Sequence, residues 1–238
     1  MPFSINTKVI VQVGLIPDLS IFSDVIEVVV DTSVYLPGMC TITFEERPGE
    51  SNFLLEHVDN ALKYKIGTSV IVSVITEDIS VPTAIPAKII FTGEITAIEP
   101  IFEKGGRVLL RIRAFDKGHR LTRGKKFRSF TMMSDGMIIQ KILAENGLVP
   151  QVSPALMSTV YTHVLQYDQS DWDFLWERAQ LYSHQMHVDG LGIFHFEPTG
   201  SPGNLVNLSW GEDLVQFEPR LVSMGQVTDT AVGGWDSN

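Results

Sequence analysis

The sequence has little cysteine, no long apolar run and fewer basic than acidic residues. Its 238 residues include one cysteine, Cys40, which excludes an internal disulfide framework and a thiolate zinc cage, because both need several thiols. No window approaches the ~18 consecutive apolar residues of a membrane-spanning helix. The start, MPFSINTKVIVQVG, lacks the basic and apolar regions of a secretory signal. We therefore expect neither a Sec-type signal nor a membrane partner.

The charge balance and the missing motifs narrow the function classes. With 18 Lys and Arg against 28 Asp and Glu, the net charge is -10, so long-range repulsion opposes wholesale binding of nucleic acid. The sequence has no G-x-S-x-G, no P-loop and no G-x-G-x-x-G after a strand. We expect no enzyme activity and no cofactor.

The first half alternates short apolar segments with turn residues, which predicts antiparallel strands. In VLLRIRAF, residues 108–115, apolar side chains alternate with two arginines, as in a half-buried strand. Cys40, Ile42 and Phe44 share one face in the same way, which places the lone thiol among core side chains. Residues 51–67 could hold a short helix. The predicted strands are 8–14, 25–31, 40–45, 69–76, 87–98 and 107–115, which form a small β-barrel over residues 1–116.

Residues 117–128, here called the basic segment, carry six of the eighteen Lys and Arg residues. Like charges at this density repel one another and usually await a partner. The segment could be a solvated connector between domains, a contact to an acidic protein surface, or, as the alternative function, a nucleic-acid site. The candidate interface residues are Lys117, His119, Arg120, Arg123, Lys125, Lys126 and Arg128.

A middle domain of mixed α and β structure is predicted over residues 117–203. Helices are expected near 134–146 and 170–184, capped by Ser134 and Ser170, and a hairpin near 186–197. Residues 204–238 return to a strand pattern but are too short for another six-stranded barrel. We interpret them as the beginning of a second β-barrel that is incomplete in this sequence.

The helix near 170–184 combines aromatic residues, acids and nearby histidines. One helical stripe favours packing; it comprises Trp172, Leu175, Trp176, Ala179 and Tyr182, and Phe174 and Leu181 widen it. The candidate structural anchors are Trp172, Phe174, Leu175, Trp176 and Tyr182. We interpret the acids Asp168, Asp171, Asp173 and Glu177 as capping and helix-dipole residues on an exposed helix start, not as a general acid and base pair.

The histidines after this helix form a possible metal set. His184, His187 and His195 lie near Asp189, but the H-x-x-H spacing straddles a helix-to-strand junction and lacks the glutamate of a metalloprotease motif. The sequence therefore predicts no metal site.

Two separate motifs resemble one known family. AFDKGHRLTRGKKFRSF, residues 114–130, and YDQSDWDFLWERAQLYSHQMHVDG, residues 167–190, resemble hallmarks of the phage late control protein D family. That family includes the baseplate hubs of contractile phages and the hub part of type VI secretion VgrG spike proteins. FTGEITAIEP, residues 91–100, is similar to its first barrel, and LSWGEDLVQFEPRL, residues 208–221, to the segment leading into its second.

This resemblance implies a structural protein of a phage tail or contractile injection system. In the family, two tube-like barrels per chain form a ring in a homotrimer, so three chains match a hexameric tail tube and connect it to a threefold central spike. The implied partners are the tail tube protein, the central spike and other baseplate proteins, with assembly in the bacterial cytoplasm. The sequence is shorter than such proteins usually are, so it could be a fragment.

Overall fold

A computed structural model describes residues 5–14, 25–45, 65–78, 87–200, 207–211 and 216–219. Residues 1–201 form one compact unit and residues 202–238 a second. The helix predicted at 51–67 lies almost entirely outside the described residues. So does most of the predicted second barrel, of which residues 207–211 and 216–219 are described and exposed.

Six strands of the first unit form one antiparallel sheet that curls into a half-barrel. Its strand order is β1-β4-β5-β6-β3-β2, so β1 and β2 are its edges among the described residues. The chain is therefore mainly β, as the sequence predicted. The strands are β1 Ile5–Val13, β2 Val25–Asp31, β3 Met39–Glu45, β4 Ser69–Asp78, β5 Lys88–Phe102 and β6 Val108–Phe115.

Alternation of apolar and polar residues determines which face of this sheet is buried. Ile42 and Phe44 are fully buried beside Cys40 and pair with β6, whose Ile112 is buried too. The arginines of β6 lie on the opposite face, where Arg113 pairs with Glu99 at 2.8 Å. Burial raises the pKa of the Cys40 thiol to about 12, so this thiol stays protonated at neutral pH and unreactive.

The remainder of the first unit surrounds a second hydrophobic core. A two-stranded antiparallel ribbon, β7-β9, lies beside a three-stranded sheet in the order β10-β11-β8, in which β8 runs parallel to β11. Two α-helices and two 3₁₀ helices complete this part. The elements are the 3₁₀ helix Lys117–Thr122, β7 Lys126–Ser134, α1 Asp135–Glu145, β8 Val149–Val152, the 3₁₀ helix Pro154–Met157, β9 Val160–Gln169, α2 Asp171–Leu181, β10 His184–Val188 and β11 Ile193–Pro198.

Both helices begin at the serines that the sequence indicates. The Ser134 hydroxyl accepts a hydrogen bond from the Met137 N–H at 3.4 Å, and the Ser170 hydroxyl accepts one from the Asp173 N–H at 3.1 Å. Helix α1 stops before Gly147, whose φ of 71° is a left-handed conformation suited to glycine. The two cores belong to one compact unit, and the domain boundary at residues 116 and 117 stays a prediction.

Candidate functional site

Helix α2 packs its aromatic stripe into the second core. Trp172 is 6% exposed and meets Phe194 edge to face, with 6.3 Å between ring centroids. Phe174 stacks on Phe130 at 5.9 Å between centroids, and Leu175 is fully buried. Leu181, in contrast, is 68% exposed, so its inclusion in the apolar surface was wrong. It lies in the last turn of α2, on the side of the helix that faces solvent.

Two residues of the stripe, Tyr182 and Trp176, connect α2 to its neighbours. The Tyr182 hydroxyl donates to the buried Asp135 carboxylate of α1 and lies 2.6 Å from the Tyr161 hydroxyl of β9. Burial and these two partners raise the pKa of Tyr182 above its ordinary value. Trp176 meets Tyr35 of the loop between β2 and β3, with ring centroids 5.2 Å apart. The helix thus contacts both the second core and the loop between β2 and β3.

The basic segment is folded, and acids of the same chain neutralise much of its charge. Arg120 forms an ion pair with Glu94 of β5 and donates to the Asn146 carbonyl at 3.0 Å. Lys126 and Arg128 each approach Asp171 to 2.5 Å. The expectation that these cations repel one another until a partner arrives was wrong, because the fold brings acids from β5 and α2 against them.

Two exposed cations of the basic segment remain candidates for an interface. Arg123 is exposed and contacts the His119 ring at 2.7 Å, while Lys125 forms an exposed pair with Asp168 at 3.0 Å. Lys117 is half-buried. The assignment of this segment as an interface stays a prediction, and it now depends mainly on Arg123 and Lys125.

Asp171 is the centre of a buried polar cluster that the sequence did not predict. Its carboxylate accepts hydrogen bonds from Lys126, Arg128, Gln166 and Asn146, at 2.5 to 3.0 Å. Burial alone would raise the pKa of Asp171, but these donors and the Arg128 charge hold the pKa below its ordinary value. The interpretation of Asp171 as a dipole residue on an exposed helix start was wrong, because its side chain is only 1% exposed.

The other acids near α2 also have partners within the chain. Asp173 accepts from the Ser170 hydroxyl at 2.6 Å, and Glu177 accepts from the Gln169 amide at 2.6 Å. Together with the Lys125 contact of Asp168, these bonds spread the carboxylates over separate partners. These contacts cap α2 and link it to neighbouring residues. For Asp173, this agrees with the sequence interpretation of a capping residue.

Asp116 joins the half-barrel sheet to the second core. Its carboxylate accepts from the Gly38 N–H at 2.5 Å and from the Gly118 N–H at 2.7 Å. Burial raises the pKa of Asp116 to about 6, against the opposing effect of these two hydrogen bonds. A second contact joins β5 to the β10-β11 turn: the Thr92 hydroxyl donates to the Gly190 carbonyl at 2.7 Å, and a Cβ on Gly190 would lie 2.7 Å from the Ile89 carbonyl. The sequence signal that could have revealed the turn at Asp116 is Asp-x-Gly directly after a strand, at residues 116–118.

The hairpin of β10 and β11 carries a histidine cluster. His187 and His195 stand directly opposite each other, with parallel rings 4.9 Å apart between centroids. Glu197 joins them, and the three potential ligand atoms lie within 4.8 Å of one another. Burial, and then the neighbouring His195, lower the pKa of His187, which favours its neutral imidazole. His184 is separate, because its ring nitrogen bonds the Tyr182 carbonyl at 2.8 Å.

The fold is similar to those of solved phage tail and VgrG proteins. The chain matches the 43 kDa tail protein of prophage MuSo2 from Shewanella oneidensis with a TM-score of 0.60 at 10% identity, covering 81% of this chain and 53% of that one. A tail protein from Neisseria meningitidis MC58 matches with a TM-score of 0.52 at 14% identity, over 83% and 54%. A chain of a Francisella PdpA-VgrG complex matches with a TM-score of 0.51 at 11% identity, over 81% and 31%.

Residues 79–238, about two thirds of the chain, match the family model of the Alg8 N-terminal domain, and the chain belongs to that family. Membership of the late control protein D family is therefore not confirmed; the structural comparisons show a fold similar to those of tail and VgrG proteins. No curated protein matches the sequence. The chain spans about half the length of the two tail proteins and about a third of the Francisella chain. Within the described residues, no helix has the length and apolar character needed to cross a membrane.

Proposed function

We propose that this chain is a structural, noncatalytic subunit of a phage tail or contractile injection particle, and that it forms the baseplate hub. The observation that carries the proposal is the fold match to a prophage tail protein across 81% of the chain.

The chemistry of the described residues supports a structural role. The acids around α2 hold helices and strands together, with Asp171 binding Lys126 and Arg128 and Asp173 capping its own helix. Polar groups used in this way stabilise one arrangement of the elements.

We further propose a homotrimer in which each chain contributes two tube-like barrels. Three such chains present six similar units, which matches a hexameric tail tube and leaves a threefold axis for a central spike. The half-barrel of β1 to β6 would supply the first unit. The second would be the barrel that the sequence predicts from residue 204 on, most of which lies outside the described residues. Arg123 and Lys125 would then contact another copy or an acidic baseplate protein, and assembly would take place in the bacterial cytoplasm.

Quantitative mass spectrometry of sedimented tail-like particles from the producing bacterium tests the proposal. We expect about three copies of this chain for each particle, counted against the tube protein. Absence of the chain from purified particles would refute the structural role, while six or more copies would refute the trimer.

A charge reversal tests the interface separately. The double variant Arg123→Glu, Lys125→Glu should stay folded, because both side chains are exposed, and should enter particles at least 10-fold less often. Lys104→Glu, in the exposed turn between β5 and β6, is the matched control and should be incorporated normally. Equal incorporation of both variants would show that Arg123 and Lys125 are only solvated surface.

A further inference from the structure

The outer face of the β10-β11 hairpin gathers metal-binding side chains in one place. Met186, Phe194 and Phe196 point into the second core and are fully buried. Because strand side chains alternate, His187, His195 and Glu197 share the opposite face. His187 pairs directly with His195 across the hairpin, and Glu197 follows His195 by two positions.

Two of these side chains are already oriented by further polar groups. Asp189 lies 3.0 Å from Nε2 of His195, so a proton on that nitrogen leaves Nδ1 free to bind a cation. Gln185 donates to the Glu197 carboxylate at 3.1 Å. Metal-binding histidines commonly donate their second ring nitrogen to a carboxylate, which fixes the tautomer and the ring orientation.

His187 supplies an independent observation. Its Nδ1 atom is buried and, within the part of the chain that the structure describes, has no hydrogen-bond partner. A buried polar atom without a partner carries a free-energy cost, and a cation bound at this Nδ1 would supply the missing partner. The orphaned atom thus lies on a side chain that already belongs to the cluster.

We propose that His187, His195 and Glu197 form a binding site for Zn²⁺ or a similar divalent transition metal. Imidazole donors favour these metals over Mg²⁺ and Ca²⁺, which prefer oxygen ligands. The carboxylates of Glu197 and Asp189 balance the charge of a divalent cation. Three protein ligands leave the fourth tetrahedral position for water or for a side chain of another chain.

The geometry needs only local adjustment. Ligand atoms around a tetrahedral Zn²⁺ stand roughly 3.3 Å apart, as follows from bond lengths of about 2.0 to 2.2 Å. The cluster has its three atoms within 4.8 Å, so side-chain rotation can close the remainder without moving the strands. The hairpin backbone is held by its own ladder and by the turn at Asp189, whose carboxylate accepts from the Ile193 N–H at 2.9 Å.

Equilibrium dialysis of the untagged chain against Zn²⁺, with elemental analysis, tests the site. We expect saturation at one Zn²⁺ per chain and no saturable binding of Mg²⁺. His195→Asn and Glu197→Gln should each weaken Zn²⁺ binding at least 10-fold. Asp189→Asn should weaken it about 10- to 100-fold, the range for partners that orient a ligand, by reversing the His195 tautomer. His163→Asn, an exposed histidine of β9, is the control and should bind as the wild type does.

Folding is checked without metal. The variant side chains lie outside the apolar core, so far-UV circular dichroism and the melting temperature of the metal-free variants should match those of the wild type. Failure of the wild type to retain Zn²⁺ would overturn the proposal. Wild-type affinity in both His195→Asn and Glu197→Gln would overturn it as well. The site does not depend on the proposed tail function, and either result leaves that function unaffected.

Discussion

Replacing Asp171 by asparagine is the sharpest test of how the basic segment is stabilised. The substitution keeps the size of the side chain and removes the charge that Lys126 and Arg128 share. Breaking a buried ion pair by removing one partner costs about 3 to 5 kcal/mol. Because the side chains of Lys126 and Arg128 are 35% and 22% exposed, water compensates them in part. We therefore expect a loss of about 2 to 4 kcal/mol in the free energy of unfolding.

The assay is urea and thermal unfolding of the wild type, Asp171→Asn and Asp168→Asn. For a unit of this size the expected loss lowers the melting temperature by roughly 4 to 16 °C. Asp168→Asn is the matched control, because its pair with Lys125 has side chains 49% and 66% exposed and should be worth less than about 1 kcal/mol. Equal stability of the two variants would refute the reasoning that the Asp171 cluster is a buried, energetically important contact.

The pH dependence gives a second signature of the same cluster. The folded chain holds the pKa of Asp171 below its ordinary value of 3.8, so the stabilisation is present above that pH and is lost as the pH falls through the lower folded pKa. The deficit of Asp171→Asn should be constant above about pH 5 and shrink in more acidic solution. A deficit that persists unchanged at pH 2 would mean that the cost comes from packing, not from charge.

Two further predictions concern the contacts that unite the first unit. Trp172→Ala should leave a cavity against Phe194 and cost roughly 3 to 5 kcal/mol in urea unfolding, with loss of particle assembly, whereas an unchanged midpoint would contradict the packing role. The pKa of Asp116 is raised from 3.8 to about 6, so its contribution to stability is fully present below pH 3.8 and declines as the pH rises through 6. Unfolding free energies measured from pH 4 to pH 7 should show this decline in the wild type and not in Asp116→Asn.

The strands and helix starts follow from local sequence patterns, whereas the polar clusters do not. Alternation in residues 108–115 predicts both the strand and its buried face, and Ser170 followed by Asp173 predicts the start of α2. The partners of Asp171 lie 45 and 43 positions earlier in the chain, at Lys126 and Arg128. Only the pairing of β7 with β9 brings Lys126 and Arg128 against the start of α2. The local sequence pattern by itself therefore assigns Asp171 to an exposed surface.

The histidine cluster shows the same dependence on register. Compared with a helical metal motif, the H-x-x-H of His184 and His187 lacks the glutamate of a metalloprotease. In a hairpin, the relevant neighbours are the cross-strand residue His195 and its same-face neighbour Glu197, two positions further on. Glu197 was absent from the sequence candidates because it comes close to His187 only when β10 and β11 pair around the turn at residues 189–192.

Internal neutralisation of the basic segment also changes how an interface can be tested. Reversing Arg120 would place a glutamate against Glu94, whose side chain is only 12% exposed, and would remove a bond to the Asn146 carbonyl. Loss of assembly in such a variant would therefore follow from misfolding as readily as from a lost contact. Reversal of the exposed Arg123 and Lys125 separates these causes, because neither side chain holds a buried acid, and so its effect on assembly reports on the surface alone.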